Sequence, residues 1–200
     1  APRPARTAGQ DRPCEGRELL KATVYIATSV DGFIARENGG IDWLPGGEDA
    51  EGSEDYGYQE FIGSVDAIVM GRNTYDLASS FGSWPYGEKP VVVLSSRQVD
   101  IPDAIATTVE SMTASPREVV RRLAERGFGH LYVDGGKTIQ GFLGEGLIQR
   151  LIITKVPVLI GAGIPLFGPL SHDVRLRHLE TRQFENGLVQ SEYEVIEEAE

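Results

Sequence analysis

The chain has 200 residues, 40% of them apolar, enough to fill one core of ordinary size without disulfide or metal staples. Its net charge of −11 and pI near 4.8 argue against a nucleic-acid binder, whose affinity rests on clustered Lys and Arg. No run reaches the ~18 apolar residues of a membrane span, the first residues lack an apolar signal core, and the single cysteine, Cys14, favours a reducing cytoplasm.

In chain order, residues 1–20 carry Pro2, Pro4, Gly9 and Pro13 without periodicity and read as a flexible leader, leaving residues 21–200 as a single domain. A strand is expected over 22–29, then a Gly- and acid-rich loop to residue 52 whose length points to function. A helix is expected over 53–63 with Ser53 as its N-cap, a strand over 66–70, a helix over 73–79 and a strand over 91–94. Ser115-Pro116 opens a further helix with a cap and a proline at the first helical position. A strand over 130–134, a short helix over 136–143 ending at Gly144, and a strand over 151–158 broken by Pro157 follow. Alternation over 174–184 and 188–196 around Asn186-Gly187 signals an antiparallel hairpin. Alternating βα units followed by a hairpin predict an α/β fold: a mixed sheet with helices on both faces.

Three β-branched runs end in small or basic clusters: Ala67-Ile68-Val69-Met70 into Gly71-Arg72-Asn73-Thr74, Val91-Val92-Val93-Leu94 into Ser95-Ser96-Arg97, and Leu131-Tyr132-Val133-Asp134 into Gly135-Gly136-Lys137-Thr138. Glycine lets backbone approach an anion, helix-start N–H groups point at it, and Arg, Ser or Thr add hydrogen bonds. Three such junctions on one sheet suit a polyphosphate ligand. Taken singly, Gly71-Arg72 reads equally as a turn with a solvated arginine, and Gly135-Gly136 as close strand-to-helix packing.

Other chemistries are eliminated by spacing. A Walker A loop ending at Gly136-Lys137-Thr138 needs glycine where Leu131 stands, and a dinucleotide fingerprint from Gly161-Ala162-Gly163 needs glycine where Leu166 stands. Cys14 has no Cys partner, and His130, His172 and His178 lack ligand spacing, so no metal site is expected. No Gly-x-Ser-x-Gly elbow occurs.

Asp66-Ala67-Ile68-Val69-Met70-Gly71-Arg72-Asn73-Thr74-Tyr75, Val93-Leu94-Ser95-Ser96-Arg97, Gly135-Gly136 and the run from Pro157 through Gly161-Ala162-Gly163 to Phe167 resemble, in this order, the dihydrofolate reductase superfamily. Within it they resemble the C-terminal reductase domain of riboflavin biosynthesis and its stand-alone bacterial relatives. The resemblance implies a three-layer α/β/α fold around a mixed, mostly parallel sheet of about eight strands, NADPH as hydride donor, a small heterocyclic substrate and a homodimer.

Carried over by position, Gly71, Arg72 and Thr74 hold cofactor phosphates, and Leu94, Ser95, Ser96 and Arg97 surround the adenosine ribose and its 2′-phosphate. Gly135, Gly136, Lys137 and Thr138 approach the pyrophosphate, and Ala27 and Ile34 complete the cofactor site. A 2′-phosphate wants the guanidinium forks of Arg72 and Arg97, which favours NADPH over NADH. Asp31-Gly32-Phe33-Ile34 through Trp43 looks like the mobile loop over the nicotinamide, with Asp31 and Trp43 on the substrate side.

An ungapped count back from Gly71 places Asp55 as the acid that binds substrate and donates a proton, with its pKa raised by an apolar pocket; Glu54 is the alternative. The same residue type at a helix start also serves simply to favour that start. The riboflavin reductase domain has Lys where Phe33 stands and Arg where Gly63-Ser64-Val65 stands, basic groups that serve a phosphorylated substrate. An acidic insertion after Trp43-Leu44-Pro45 departs from dihydrofolate reductases. The expected function is therefore an NADPH-dependent reductase of a pyrimidine, pterin or similar ring, the alternative being a non-catalytic nucleotide-binding or regulatory module on the same fold.

Overall fold

The continuous apolar runs fold as central strands because both of their faces are covered. In the computed structural model, which describes residues 20–45 and 54–196, β1 (Lys21–Ser29) is followed by the short β2 (Phe33–Ala35), α1 (Tyr58–Ser64), β3 (Ala67–Gly71), α2 (Arg72–Ser79), β4 (Val91–Leu94) and β5 (Val109–Met112). Then come α3 (Pro116–Glu125), β6 (His130–Asp134), α4 (Gly136–Gly144), β7 (Arg150–Val156), the two-residue β8 (Ile164–Pro165), β9 (Leu176–Gln183) and β10 (Val189–Val195). Eight strands form one sheet in the order β5-β4-β3-β6-β1-β7-β10-β9, parallel from β5 to β7 and antiparallel at β10 and β9.

Alternate residues of each strand feed two cores. Val69, Val92, Leu131 and Val133 point to one side, where Val119 and Leu123 of α3 and Ile139 and Phe142 of α4 pack. Ile68, Met70, Val93 and Tyr132 point to the other, against Phe61 of α1 and Tyr75 of α2. Fully buried side chains such as Phe142 and Leu131 each contribute about 1.5–3 kcal/mol relative to exposure. This is the expected three-layer, dihydrofolate reductase-like α/β fold, with the hairpin closing one edge.

Local chemistry accounts for the boundaries. Ser115 Oγ accepts the Glu118 N–H at 3.3 Å and Pro116 occupies the first turn, so α3 starts where expected. The hairpin turns at Gly187, at φ 83°, with the Phe184 N–H donating to the Leu188 carbonyl at 3.0 Å. Three elements were not expected. The 30–52 loop contains β2, and β2 pairs with β8 in a separate two-stranded sheet. β5 is an edge strand in which only Val109 is fully buried, so its sequence carries little alternation.

The helix expected over 53–63 begins instead at Tyr58, with Gly57 at φ 84° before it and no side-chain bond from the cap residue itself. Ser53, its expected cap, lies outside the described residues, as do Cys14 and all of the expected leader except Leu20. Among the described residues no helix is long and apolar enough to cross a membrane.

Candidate functional site

Two helices begin side by side at the C-terminal edge of the sheet. β3 and β6 are neighbours with Met70 beside Asp134, so the next residues, Gly71 and Gly135, lead together into α2 and α4. Glycine permits this approach: a Cβ on Gly71 would lie 2.9 Å from Thr138 Oγ1, and one on Gly135, at φ 90°, only 2.3 Å from Thr74 Oγ1. Neither helix has a side-chain cap, in contrast to α3. The first-turn N–H groups of two helices thus converge without side-chain acceptors, flanked by the Thr74 and Thr138 hydroxyls, and the two positive dipole ends add. That arrangement fits two linked phosphates.

The third junction lies one strand further out, where Leu94 pairs with Gly71. Ser95 Oγ accepts the Arg97 N–H at 3.1 Å and donates to the Arg97 carbonyl at 2.7 Å, closing a tight turn. Ser96 and Arg97 are left exposed, and the Arg97 guanidinium has no ion pair among the described residues. Arg72 lies against Asp76 one turn along α2, 3.4 Å away, with both side chains about half exposed. Such a pair is weak and can be exchanged for a ligand phosphate. Lys137 is exposed on the first turn of α4.

Gly136 faces elsewhere. A Cβ there would meet Ile34 Cδ1 at 3.1 Å and the Pro165 carbonyl at 3.3 Å, so its bare backbone seats the β2–β8 sheet over the start of α4. Asp31, expected on the substrate side, accepts the Gly161 N–H at 2.8 Å and holds this second sheet to β1. The hydrogen bond from Ser29 and those backbone N–H groups hold its carboxyl below the usual range. The segment that resembles a mobile cover is therefore tied down at both Asp31 and Gly32, whose carbonyl accepts the Leu166 N–H at 3.0 Å. Further along it, Arg36 and Asp42 form a two-pronged ion pair.

A cleft opens beside this cradle. Pairing of β1 with β6 stops at Thr23 and Tyr132, after which β1 continues to Ser29 along β7 alone and β6 continues along β3. Ligands of parallel sheets sit in such crevices at the carboxyl ends of strands. Ala27 stands on one side and Asp134 on the other. The Tyr132 hydroxyl donates to the Tyr25 carbonyl at 2.9 Å where the strands part.

Burial pushes the Asp134 carboxyl up to about 6, even though the Gly135 N–H donates to it at 2.8 Å. Burial, and then the Asp134 charge, likewise pushes the Tyr58 phenol up to about 12 and raises those of Tyr86 and Tyr132. Tyr58, Tyr86 and Tyr132 are thus within electrostatic reach of a protonatable acid. Sequence reasoning passed over Asp134; its signal is an acid ending a buried apolar strand immediately before the glycine pair. The Trp43 and Trp84 indole N–H groups are buried without an acceptor among the described residues, a cost that a ligand acceptor would remove.

Residues 21–190 match the RibD C-terminal domain family. The chain belongs to that family. It is 35% identical over 166 residues to YwjB, an uncharacterized protein of Bacillus subtilis, covering 82% of this chain and 92% of YwjB. A crystal structure of a candidate riboflavin biosynthesis protein from Shewanella sp. PV-4 is 37% identical, with a TM-score of 0.81, and covers 89% of this chain and 100% of that one. The two-function deaminase/reductase of Thermotoga maritima shares the fold at a TM-score of 0.67 and 16% identity; the match covers 90% of this chain and 58% of that one.

Within this RibD-type fold, the residues expected at the cofactor converge on one end of the sheet: Gly71, Thr74, Gly135 and Thr138 at the paired helix starts, Leu94 to Arg97 beyond them, Ile34 against Gly136 and Ala27 along the cleft. Asp55 is placed differently from its expected setting. It is exposed, and its two carboxylate oxygens accept the Gly57 and Gln59 N–H groups, each at 3.0 Å, at the start of α1. Those two bonds hold its pKa below the usual carboxylate value, the reverse of the apolar-pocket expectation. Glu54 is also exposed. Among the described residues no three His, Cys, Asp or Glu side chains gather to hold a metal ion.

Proposed function

We propose that this chain is an NADPH-dependent oxidoreductase that reduces a small heterocycle, with the pyrimidine reductase of riboflavin biosynthesis and dihydrofolate reductase as its nearest activities. The observation that carries the reading is the pair of uncapped helix starts, α2 and α4, opening directly onto a cleft that holds the protonatable Asp134. When bound, the nicotinamide supplies the hydride.

The chain supplies everything else. The first-turn N–H groups of α2 and α4, with Thr74 and Thr138, hold the pyrophosphate, while Ser96 and Arg97 take the 2′-phosphate. Ala27 and Ile34 border the nicotinamide and keep water from it. Asp134, rather than Asp55, holds the proton destined for the ring, because burial keeps it protonated into the range where a general acid works near neutrality. A solvent-facing Asp55 is what the alternative, a non-catalytic nucleotide-binding module, calls for, and Asp55 is exposed; the reductase reading rests instead on Asp134. We place the protein in the cytoplasm as a homodimer joined through the exposed edge strand β9.

A spectrophotometric screen of NADPH oxidation over pyrimidines, pterins and other electron-poor rings tests this reading. The expected result is turnover of at least one ring, with loss of about 10²-fold or more in Asp134→Asn. NADPH binding without turnover of any ring would favour the non-catalytic module.

A further inference from the structure

Between α1 and the β9–β10 hairpin lies a cavity of about 250 Å³, close to the ~300 Å³ at which small-molecule pockets begin. It runs away from the nucleotide cleft, since Arg150 in its wall pairs with Thr23, four residues short of Ala27 along β1. Its floor is aromatic: the rings of Tyr25 and Phe61 stack 4.8 Å apart at 20°. Strand register sets the charges around it. Glu192 of β10 lies directly opposite Glu180 of β9, a like-charge pair that costs stability in a sheet. Each is offset by one arginine, Glu192 by Arg150 and Glu180 by the fork of Arg182 at 2.8 and 3.0 Å. Glu60 joins them from α1 and has no ion pair among the described residues. Three carboxylates thus face two guanidiniums, both already engaged.

Gln190, only 7% exposed, lines the same cavity with its amide orientation locked. The Tyr56 carbonyl, which can only accept, lies 3.2 Å from Nε2, and the Tyr25 hydroxyl, which already donates to that carbonyl, accepts from Nε2 at 3.1 Å. Thr154 Oγ1 is a third oxygen on Nε2, at 3.0 Å, so Oε1 is left without a donor among the described residues. A buried amide oxygen in a cavity wall calls for an N–H from whatever fills the cavity.

We propose that this cavity is a binding site for a small organic cation with N–H donors on a flat body, an amidinium or guanidinium. Its charge relieves the opposition of Glu180 and Glu192 and pairs with Glu60, its N–H groups reach Gln190 Oε1, and its flat body lies along the Tyr25 and Phe61 rings. A bare metal ion matches less well, because among the described residues no three His, Cys, Asp or Glu side chains gather to hold one. The site goes beyond the reductase reading and needs neither NADPH nor Asp134.

Calorimetry with benzamidine and benzoate, flat rings of similar size and opposite charge, tests it. Benzamidine should bind at one site per chain, at least about tenfold tighter than benzoate. Glu60→Lys, an exposed substitution that breaks no ion pair, should weaken benzamidine by at least about fivefold and leave NADPH affinity unchanged. The NMR signals of the Gln190 side-chain amide should shift on adding benzamidine, and Asp134→Asn should leave its binding as it is. Tighter binding of benzoate would overturn the proposal, since the arginines would then set the site. So would no binding of benzamidine, binding indifferent to Glu60→Lys, an unmoved Gln190 amide, or loss of binding in Asp134→Asn, which would put the cation in the cleft.

Discussion

Asp134 and Asp55 are the same residue type held in opposite states by their neighbours. Asp134 ends β6 two residues beyond the buried Tyr132, and burial raises its pKa to about 6; Asp55 accepts two backbone N–H groups in solvent, and they lower it. A raised carboxyl binds its proton more tightly in the folded chain, so its stabilising contribution is complete below the unfolded value near pH 4 and is lost as pH rises toward 6. Relative to Asp134→Asn, the wild type should therefore lose thermal stability between about pH 4 and 6 and hold a constant difference above that, which differential scanning fluorimetry across pH would read. Turnover should fall above about pH 6 in the wild type and stay flat in Asp134→Asn. For Asp55 the sign reverses: its contribution is present above about pH 4 and lost on acidification. Asp55→Ala should lower the melting temperature near neutrality while leaving the pH profile of turnover in place; a changed profile would return Asp55 to the chemistry. The sequence could not separate the two acids, because spacing locates a carboxylate and burial decides its proton.

At the scale of elements, the β-branched runs ending in Gly, Ser or Arg were legible because they encode their own strands, helix starts and turns. Ser115-Pro116 was legible for the same reason, and Ser115→Ala should cost about 1 kcal/mol in denaturant unfolding. What the sequence hides is contact between distant segments. Nothing near Gly136 announces that Ile34 and Pro165 press against it, nor that Asp31 reaches Gly161. The start of α1 was misplaced because its orphan N–H groups are met by Asp55 after the expected Ser53 cap had been passed. The two glycines should consequently fail in different ways. Gly135→Ala, forced to φ 90° and into Thr74, should destabilise the fold by about 1–3 kcal/mol and separate the helix starts, weakening NADPH binding. Gly136→Val should loosen the β2–β8 sheet first, seen as increased amide hydrogen exchange in β2. Unchanged exchange there with lost NADPH binding would make Gly136 a direct cofactor contact.

For the molecule as a whole, the three-layer order followed from βα alternation and the Asn186-Gly187 turn. Of the two edge strands, β5 resisted reading because it has little core face, whereas β9, with none, was legible only through the hairpin turn that precedes β10. All eight residues of β9 are exposed, the apolar Leu176 and Leu179 among them. An open, partly apolar edge invites a partner strand. Analytical ultracentrifugation should find a dimer that Leu179→Lys converts to monomer; a monomeric wild type would refute the proposed assembly. The central claim, that the α2 and α4 starts and Arg97 form an NADPH site, is tested most directly by titrating the protein with NADPH and NADH and following cofactor fluorescence. The account predicts saturable binding of NADPH about tenfold or more tighter than NADH, with the preference lost in Arg97→Ala. Equal affinities, or no binding of either, would contradict it.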